Sequence, residues 1–277
     1  MTSAQQSTQL VVVGAGPGGY PAAFHAADLG MDVVLIDRDA NPGGVCLYRG
    51  CIPSKALLHA ANLIQDAREA DEIGITFGAP QLDLDRLRAW KQSVVDGLTG
   101  GLGGLTRARG ITFIQGQATF SGPRTVSVTQ PDGSETVVTF EHAVIATGSV
   151  PIMPGLVPAC PAIVDSTGAL ALTDIPETML VMGGGYIGLE LGQVYAAFGT
   201  RVTVVEMQAS LLPGVDPDLV KVLAGRINAQ FDRIMTQTRV TAMAAVAAGV
   251  SVSLEKPGGE LAEEVFARVL VAVGRRP

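Results

Sequence analysis

The sequence predicts an α/β fold in which one strand–turn–helix–strand unit occurs twice, and three observations carry that prediction. Short apolar runs rich in valine, isoleucine and leucine alternate with helix-forming stretches, the pattern of parallel strands buried on both faces. Two of these runs enter a glycine turn of the form G-x-G-x-x-G. The same landmarks then follow both turns at the same distances. In "LVVVGAGPGGYPAAFHAADLGMDVVLID", Gly14, Gly16 and Gly19 open a helix, Gly30 closes it and Asp37 ends the next strand. In "MLVMGGGYIGLELGQVYAAFGTRVTVVE" the equivalents are Gly183, Gly185, Gly188, Gly199 and Glu206. Gly14 to Gly30 and Gly183 to Gly199 are both 16 positions, and Gly14 to Asp37 and Gly183 to Glu206 are both 23.

A glycine turn alone occurs in many loops, but a strand before it, a helix after it and an acid about 20 residues on make a dinucleotide fingerprint. The first glycine permits the tight turn, the second lets the backbone approach a pyrophosphate, and the third lets helix pack on strand. The helix start offers free N–H groups and a positive dipole end to phosphates. The terminal carboxylate accepts from a ribose diol and repels a 2′-phosphate. The plainer alternative, two strand–turn–helix units without a ligand, leaves the repeated acid unexplained. The fold class is therefore α/β, with two Rossmann-like, three-layer dinucleotide-binding domains.

The remaining elements follow in order. "MTSAQQSTQ" reads as a short disordered tail with no basic or apolar targeting pattern. "LDLDRLRAWKQSVVDGL" has helical periodicity, which the glycine-rich "TGGLGG" is expected to interrupt or end. "ITFIQGQATF", "TVSVTQ" and "ETVVTF" form a small antiparallel β excursion with a turn at "PDGS", and "AVIATGS" returns as an apolar strand. The proline-rich "VPIMPGLVPACP" bridges to the second unit, which sets domains at 1–150 and 151–277. Beyond Glu206 come a helix near 216–230, strands near 233–254, a turn at "KPGG" and a final strand "RVLVAV". The Ala/Gly-rich stretch at 242–249 suits either strand or helix.

Composition narrows the classes. The net charge of −7 among 277 residues argues against a nucleic-acid surface. No apolar run approaches the ~20 residues of a membrane span. Three cysteines argue against a disulfide framework and leave metal or redox chemistry open in a chain expected to be cytoplasmic.

"CLYRGCIPSK" then decides between those chemistries. Zinc needs about four ligands, and Cys46 and Cys51 have only His59 near them in sequence, so no metal site is expected. A staple closing so short a loop constrains little chain. Two inert buried cysteines are the bland alternative. A redox dithiol fits better: Pro53 suits the first turn of a helix starting near Cys51, a helix start favours thiolate, and Lys55 adds a cation within one turn.

On "GGVCLYRGCIPSKALL", the two fingerprints, "ATGS" and "VAVGRRP", residues 9 to 277 resemble the flavoprotein disulfide reductases. "CIPSK", "GGGYIGLELG" and "VTVVEM" are most similar to its dihydrolipoamide dehydrogenase branch. The resemblance implies an FAD/NAD(P)-binding fold, FAD in the first domain with the dithiol, and NAD in the second. Gly14, Gly16, Gly19 and Asp37 would hold the ADP half of FAD, though the family more often has Glu at the acid. Lys55 would lie by the flavin ring and pair with Glu190; Thr147, Gly148, Ser149, Gly116 and Ala118 would also touch FAD. Gly183, Gly185, Gly188, Glu190 and Glu206 would bind NAD, with Val240 and Gly274 nearby. Tyr186 would cover the nicotinamide side of the flavin. Cys46 would be the interchange thiol and Cys51 the flavin-contacting thiol. Electrons would run from protein-bound dihydrolipoamide through the disulfide and FAD to NAD. The partners implied are the lipoyl domains of 2-oxo acid dehydrogenase complexes and a second subunit of a homodimer.

Two departures stand out. Tyr48-Arg49 replaces the more usual Asn-Val, which would put bulk and charge beside the dithiol. The family continues past "GRRP" into a flavin-contacting segment and a dimerisation domain carrying a His–Glu dyad. The expectation is an N-terminal portion without that domain, poorly active alone. His25, His59 and His142 are not expected to replace the missing base, and Cys160 reads as a structural thiol. A reductase of another disulfide or of a metal ion, such as mercuric or glutathione reductase, and a non-catalytic nucleotide-binding fragment remain the alternatives.

Overall fold

The computed structural model describes residues 4–277, and the described chain divides into two compact units. The first contains residues 4–53 and 92–149 of the described chain, and the second 54–91 and 150–276.

In the first unit, β1 (Ala4–Val13) leads through a glycine turn into α1 (Tyr20–Asp28) and then β2 (Val33–Asp37). The short α2 (Gly44–Arg49) and the start of α3 (Cys51–Glu69) follow. The chain returns along α4 (Leu84–Ala108) to β3 (Thr112–Gln115), β4 (Gln117–Gly122), β5 (Thr125–Thr129) and β6 (Glu135–Ile145). The sheet order is β3-β2-β1-β6-β5-β4, with the first four strands parallel and the last pairings antiparallel. Val33 to Ile36 are all buried, as a parallel strand covered on both faces requires. Val11, Val34, Ile36, Val126 and Val138 pack on one side of the sheet, and Val12, Ala23, Leu35 and Ile111 on the other.

The second unit repeats the order. Short strands β7 (Val150–Pro151) and β8 (Ile163–Val164) and helix α5 (Ser166–Ala171) precede β9 (Thr178–Met182), α6 (Tyr186–Ala197) and β10 (Arg201–Val205). Next come α7 (Pro217–Ile227), β11 (Arg233–Met235), a β12 (Arg239–Val246), β13 (Gly249–Glu255), β14 (Leu261–Phe266) meander, β15 (Arg268–Val271) and β16 (Arg275–Arg276). The parallel sheet runs β11-β10-β9-β15-β8, so β9, β10, β11 and β15 occupy the places of β1, β2, β3 and β6. Leu57 and Ala61 of α3 join Leu189, Val194 and Tyr195 of α6 in this unit's larger core. No helix among the described residues is long and apolar enough to cross a membrane.

Four expectations change. Residues 4–9 are strand, not tail, because Ala4 to Thr8 pair with Thr136 to Phe140 of β6; residues 1–3 lie outside the described residues. "ITFIQ" joins the parallel sheet beside β2, and "ETVVTFEHAVI" is one continuous strand. The glycine-rich stretch does not end α4. The helix runs straight through it: at Gly103 the Asn41 side chain comes close, an added Cβ lying 2.2 Å from its Oδ1, while Gly100, Gly101 and Gly104 face open space. The Ala/Gly-rich stretch is strand β12 and its turn.

Candidate dinucleotide sites and the dithiol helix

Both glycine turns are built to one plan. Gly14, at φ +96°, donates its N–H to Ile36 O at 2.8 Å, and a Cβ there would meet Ala146 O at 2.2 Å. A Cβ on Gly19 would lie 1.7 Å from Gly14 O. In the second unit Gly183, at φ +112°, donates to Val205 O at 2.8 Å, with Ala272 O 2.4 Å from its added Cβ. A Cβ on Gly188 would lie 2.5 Å from Gly183 O. Packing alone therefore demands the first and third glycines.

The middle glycines differ. An added Cβ on Gly16 meets only Gly44 Cα at 3.7 Å, an ordinary contact, and on Gly185 it meets nothing within 4 Å. At Gly185 no atom of the described residues occupies that space, so the second turn leaves room for another group, whereas Gly16 has the Gly44 backbone at contact distance. Neither helix start carries a side-chain cap or an acid in its first turn. The positive helix end is thus open to an anion.

The two acids also match. Asp37 accepts from Ala15 N–H at 2.6 Å through Oδ2 and from Asp39 N–H at 3.0 Å through Oδ1. Glu206 accepts from Gly184 N–H at 2.7 Å through Oε2 and from Gln208 N–H at 2.7 Å through Oε1. Each carboxylate latches its glycine turn to the neighbouring strand. A carboxylate has about four lone-pair sites, so each oxygen keeps one for a diol.

In the second unit these groups surround a cavity of about 480 Å³. Gly183, Gly185, Tyr186, Glu206, Val240 and Gly274 all line it. Tyr186 is 64% exposed at the start of α6. Gln208, Arg239 and Arg275 line the cavity as well; only Arg275 lay in a quoted motif, and nothing in sequence marked the other two. Gly188 faces inward, and Glu190 sits further along α6, where both carboxylate oxygens accept from Lys55 Nζ at 2.8 and 2.9 Å.

In the first unit, Gly116 N–H donates to Asp37 O at 2.7 Å, which sets it beside the acid. Thr147 Cα is 3.1 Å from the Cβ position of Gly14, and Gly148 adopts φ +75° in open space. Ser149 is partly exposed in the same loop. Ala118 lies in β4 with its side chain against the core.

The dithiol helix grows from the first glycine turn. Gly43 N–H donates to Ala15 O at 2.8 Å, and Gly44, at φ +56°, has no room for a Cβ, which would lie 2.5 Å from Gly16 Cα. α2 starts there and carries Cys46, partly buried; Cys51 opens α3 and is exposed. Tyr48 and Arg49 turn away toward the loop after β2. Tyr48 Oη donates to Asn41 O and accepts from Asn41 N–H, both at 3.2 Å, and Arg49 pairs with Asp39 at 2.6 Å. The bulk and charge expected beside the dithiol are taken up by that loop. Cys160 is partly buried against the second unit's β core.

A family model described as pyridine nucleotide-disulphide oxidoreductase matches residues 8–277. The chain belongs to this family. Members use FAD and NAD(H). Dihydrolipoyl dehydrogenase of Vibrio parahaemolyticus is 46% identical over 276 residues, covering 99% of this chain and 58% of the relative. The dihydrolipoyl dehydrogenase of Haemophilus influenzae is 46% identical over 278 residues, 99% of this chain and 57% of the relative. The chain thus spans a little over half the length of these curated relatives. A copper(II) complex of the HOCl-induced flavoprotein disulfide reductase RclA from Escherichia coli superposes with a TM-score of 0.80 at 29% identity, covering 100% of this chain and 58% of that one.

Proposed function

We propose that the chain is the dinucleotide- and dithiol-bearing portion of a dihydrolipoamide dehydrogenase, with FAD held in residues 1–150 and NAD in residues 151–277. The observation that carries this reading is the junction in the first unit, where α2 with Cys46 starts against Ala15 and Gly16 of the glycine turn. It ties a cysteine pair to a dinucleotide turn, which neither a plain nucleotide-binding module nor a structural disulfide needs.

The protein's own groups have defined tasks. Gly14, Gly16 and Gly19 present backbone to a pyrophosphate, and Asp37 holds the ribose. Gly183, Gly185, Gly188 and Glu206 do the same for the second dinucleotide. Cys46, interchanging with the substrate sulfur, and Cys51 convert between disulfide and dithiol. The Lys55–Glu190 pair keeps the lysine ammonium oriented. FAD, when bound, would supply the two-electron carrier between the dithiol and NAD. The balance is dihydrolipoamide plus NAD⁺ giving lipoamide, NADH and one proton. The physiological substrate would be a lipoyl group on a 2-oxo acid dehydrogenase complex in the cytoplasm, with a homodimer as the working form.

Turnover measured side by side with lipoamide, glutathione disulfide and mercuric ion tests the assignment. Lipoamide should be preferred. A higher rate with either of the others overturns the lipoamide reading and favours a different disulfide or metal-ion reductase.

A further inference from the structure

A chain of hydrogen bonds through side-chain and backbone groups joins the helix carrying Cys46 to the acid of the first glycine turn. It runs through Arg49, the last residue of α2. Arg49 Nη1 donates to Asp39 Oδ1 at 3.0 Å and Nη2 to Oδ2 at 2.6 Å. Asp39 N–H in turn donates to Asp37 Oδ1 at 3.0 Å, and Asp37 Oδ2 accepts from Ala15 N–H at 2.6 Å. The Asp39 side chain is 19% exposed, so the pair is partly shielded from water. Arg38, between the two acids, is exposed.

The charges explain what such a relay does. Asp37 and Asp39 set two carboxylates beside a turn shaped for a diphosphate, which brings further negative charge. Like charges so placed repel. Arg49 pairs with Asp39 and lies within the electrostatic reach of Asp37. Its pKa is raised first by the hydrogen bond to Asp39, with partial burial opposing and the charges of Asp39 and Asp37 adding to the rise. Exposed ion pairs contribute little in general, but a bidentate guanidinium–carboxylate pair with one partner mostly buried belongs at the strong end.

We propose that Arg49 is an electrostatic positioning residue of the first dinucleotide site, neutralising Asp39 so that the turn accepts a diphosphate. The proposal rests on the reading of the first unit as the FAD site.

The test is FAD titration of the apo chain, followed by quenching of flavin fluorescence, in the wild type, Arg49→Gln, Arg49→Lys, Asp39→Asn and the Arg49→Gln/Asp39→Asn double variant. Arg49→Gln should bind roughly five- to tenfold more weakly. Arg49→Lys keeps the charge without the fork and should lose about half of that or less. The double variant should recover to within about twofold, because the unneutralised carboxylate is gone. Added salt should narrow the gap between Arg49→Gln and wild type, since it screens the repulsion. Circular dichroism melts separate misfolding from weak binding. Wild-type affinity in Arg49→Gln, or a double variant as weak as Arg49→Gln, overturns the proposal while leaving the flavin reading intact. A wild-type chain that takes up no FAD overturns both.

Discussion

Replacing Glu206 by alanine tests both the latch its carboxylate makes and the ribose contact proposed for it. The residue is only 7% exposed, and its carboxylate oxygens accept from Gly184 N–H and Gln208 N–H at 2.7 Å each. Truncation leaves both donors without that acceptor. A buried donor so stranded costs about 1–3 kcal/mol. The Gly184 bond is buried and bears the full cost, whereas water can reach Gln208. The expected loss is about 2–4 kcal/mol, which for a unit of this size lowers the melting temperature by roughly 5–12 °C. On the proposed reading, truncation also removes the ribose acceptor and the repulsion of a 2′-phosphate. The wild type should prefer NADH to NADPH, and the variant should bind NADH less tightly and show a narrower gap. Glu206→Gln keeps one acceptor oxygen but turns an amide NH₂ toward a donor, so it should fall between. Thermal melts followed by fluorescence titration with each nucleotide provide the readout. An unchanged melting temperature in Glu206→Ala refutes the latch, and a wild-type preference for NADPH refutes the ribose assignment.

Three further perturbations probe other parts of the account. Gly185→Ala has space for its Cβ and should melt like the wild type yet lose NADH affinity, whereas Gly188→Ala, with Gly183 O 2.5 Å away, should be destabilised by about 1–3 kcal/mol; equal melts for the two would contradict the packing argument. In the flavin-loaded chain, Cys46→Ser should show a long-wavelength charge-transfer band from the Cys51 thiolate and Cys51→Ser should not, and the opposite result reverses the thiol assignment. Lys91 is buried and donates to Leu170 O; burial, then the charge of Arg88, lowers its pKa from 10.5. Between the lowered value and 10.5 the unfolded chain binds the extra proton, so stability rises with pH; urea midpoints should show that rise in the wild type and lose it in Lys91→Met.

Much of this was legible from glycines and acids because their spacing is set by backbone geometry that the sequence repeats. The equal intervals from Gly14 to Asp37 and from Gly183 to Glu206 correspond to β1–α1–β2 and β9–α6–β10. What escaped was decided by partners far along the chain. Gly103 sits in a helix where the Asn41 side chain, far back along the chain, comes close, and Ala4 to Thr8 are strand where they pair with β6. Arg49 looked like a charge beside the dithiol, and its engagement of Asp39 ten residues earlier leaves no periodic trace. Gln208 and Arg239 reach the second cavity through the paths of the loop after β10 and of β12, which no local motif encodes.

The central claim is that Cys46 and Cys51 exchange electrons with NAD through a flavin held by this chain. The direct measurement loads the oxidised chain with FAD, adds NADH without oxygen, and titrates thiols after unfolding, with Cys160→Ser as background. With at least two equivalents of NADH, one electron pair for the disulfide and one for the flavin, the account predicts loss of the oxidised flavin absorbance and a gain of two titratable thiols per bound flavin, the thiol gain being absent when Cys46 or Cys51 is serine. Flavin reduced by NADH with no gain of thiols would contradict it.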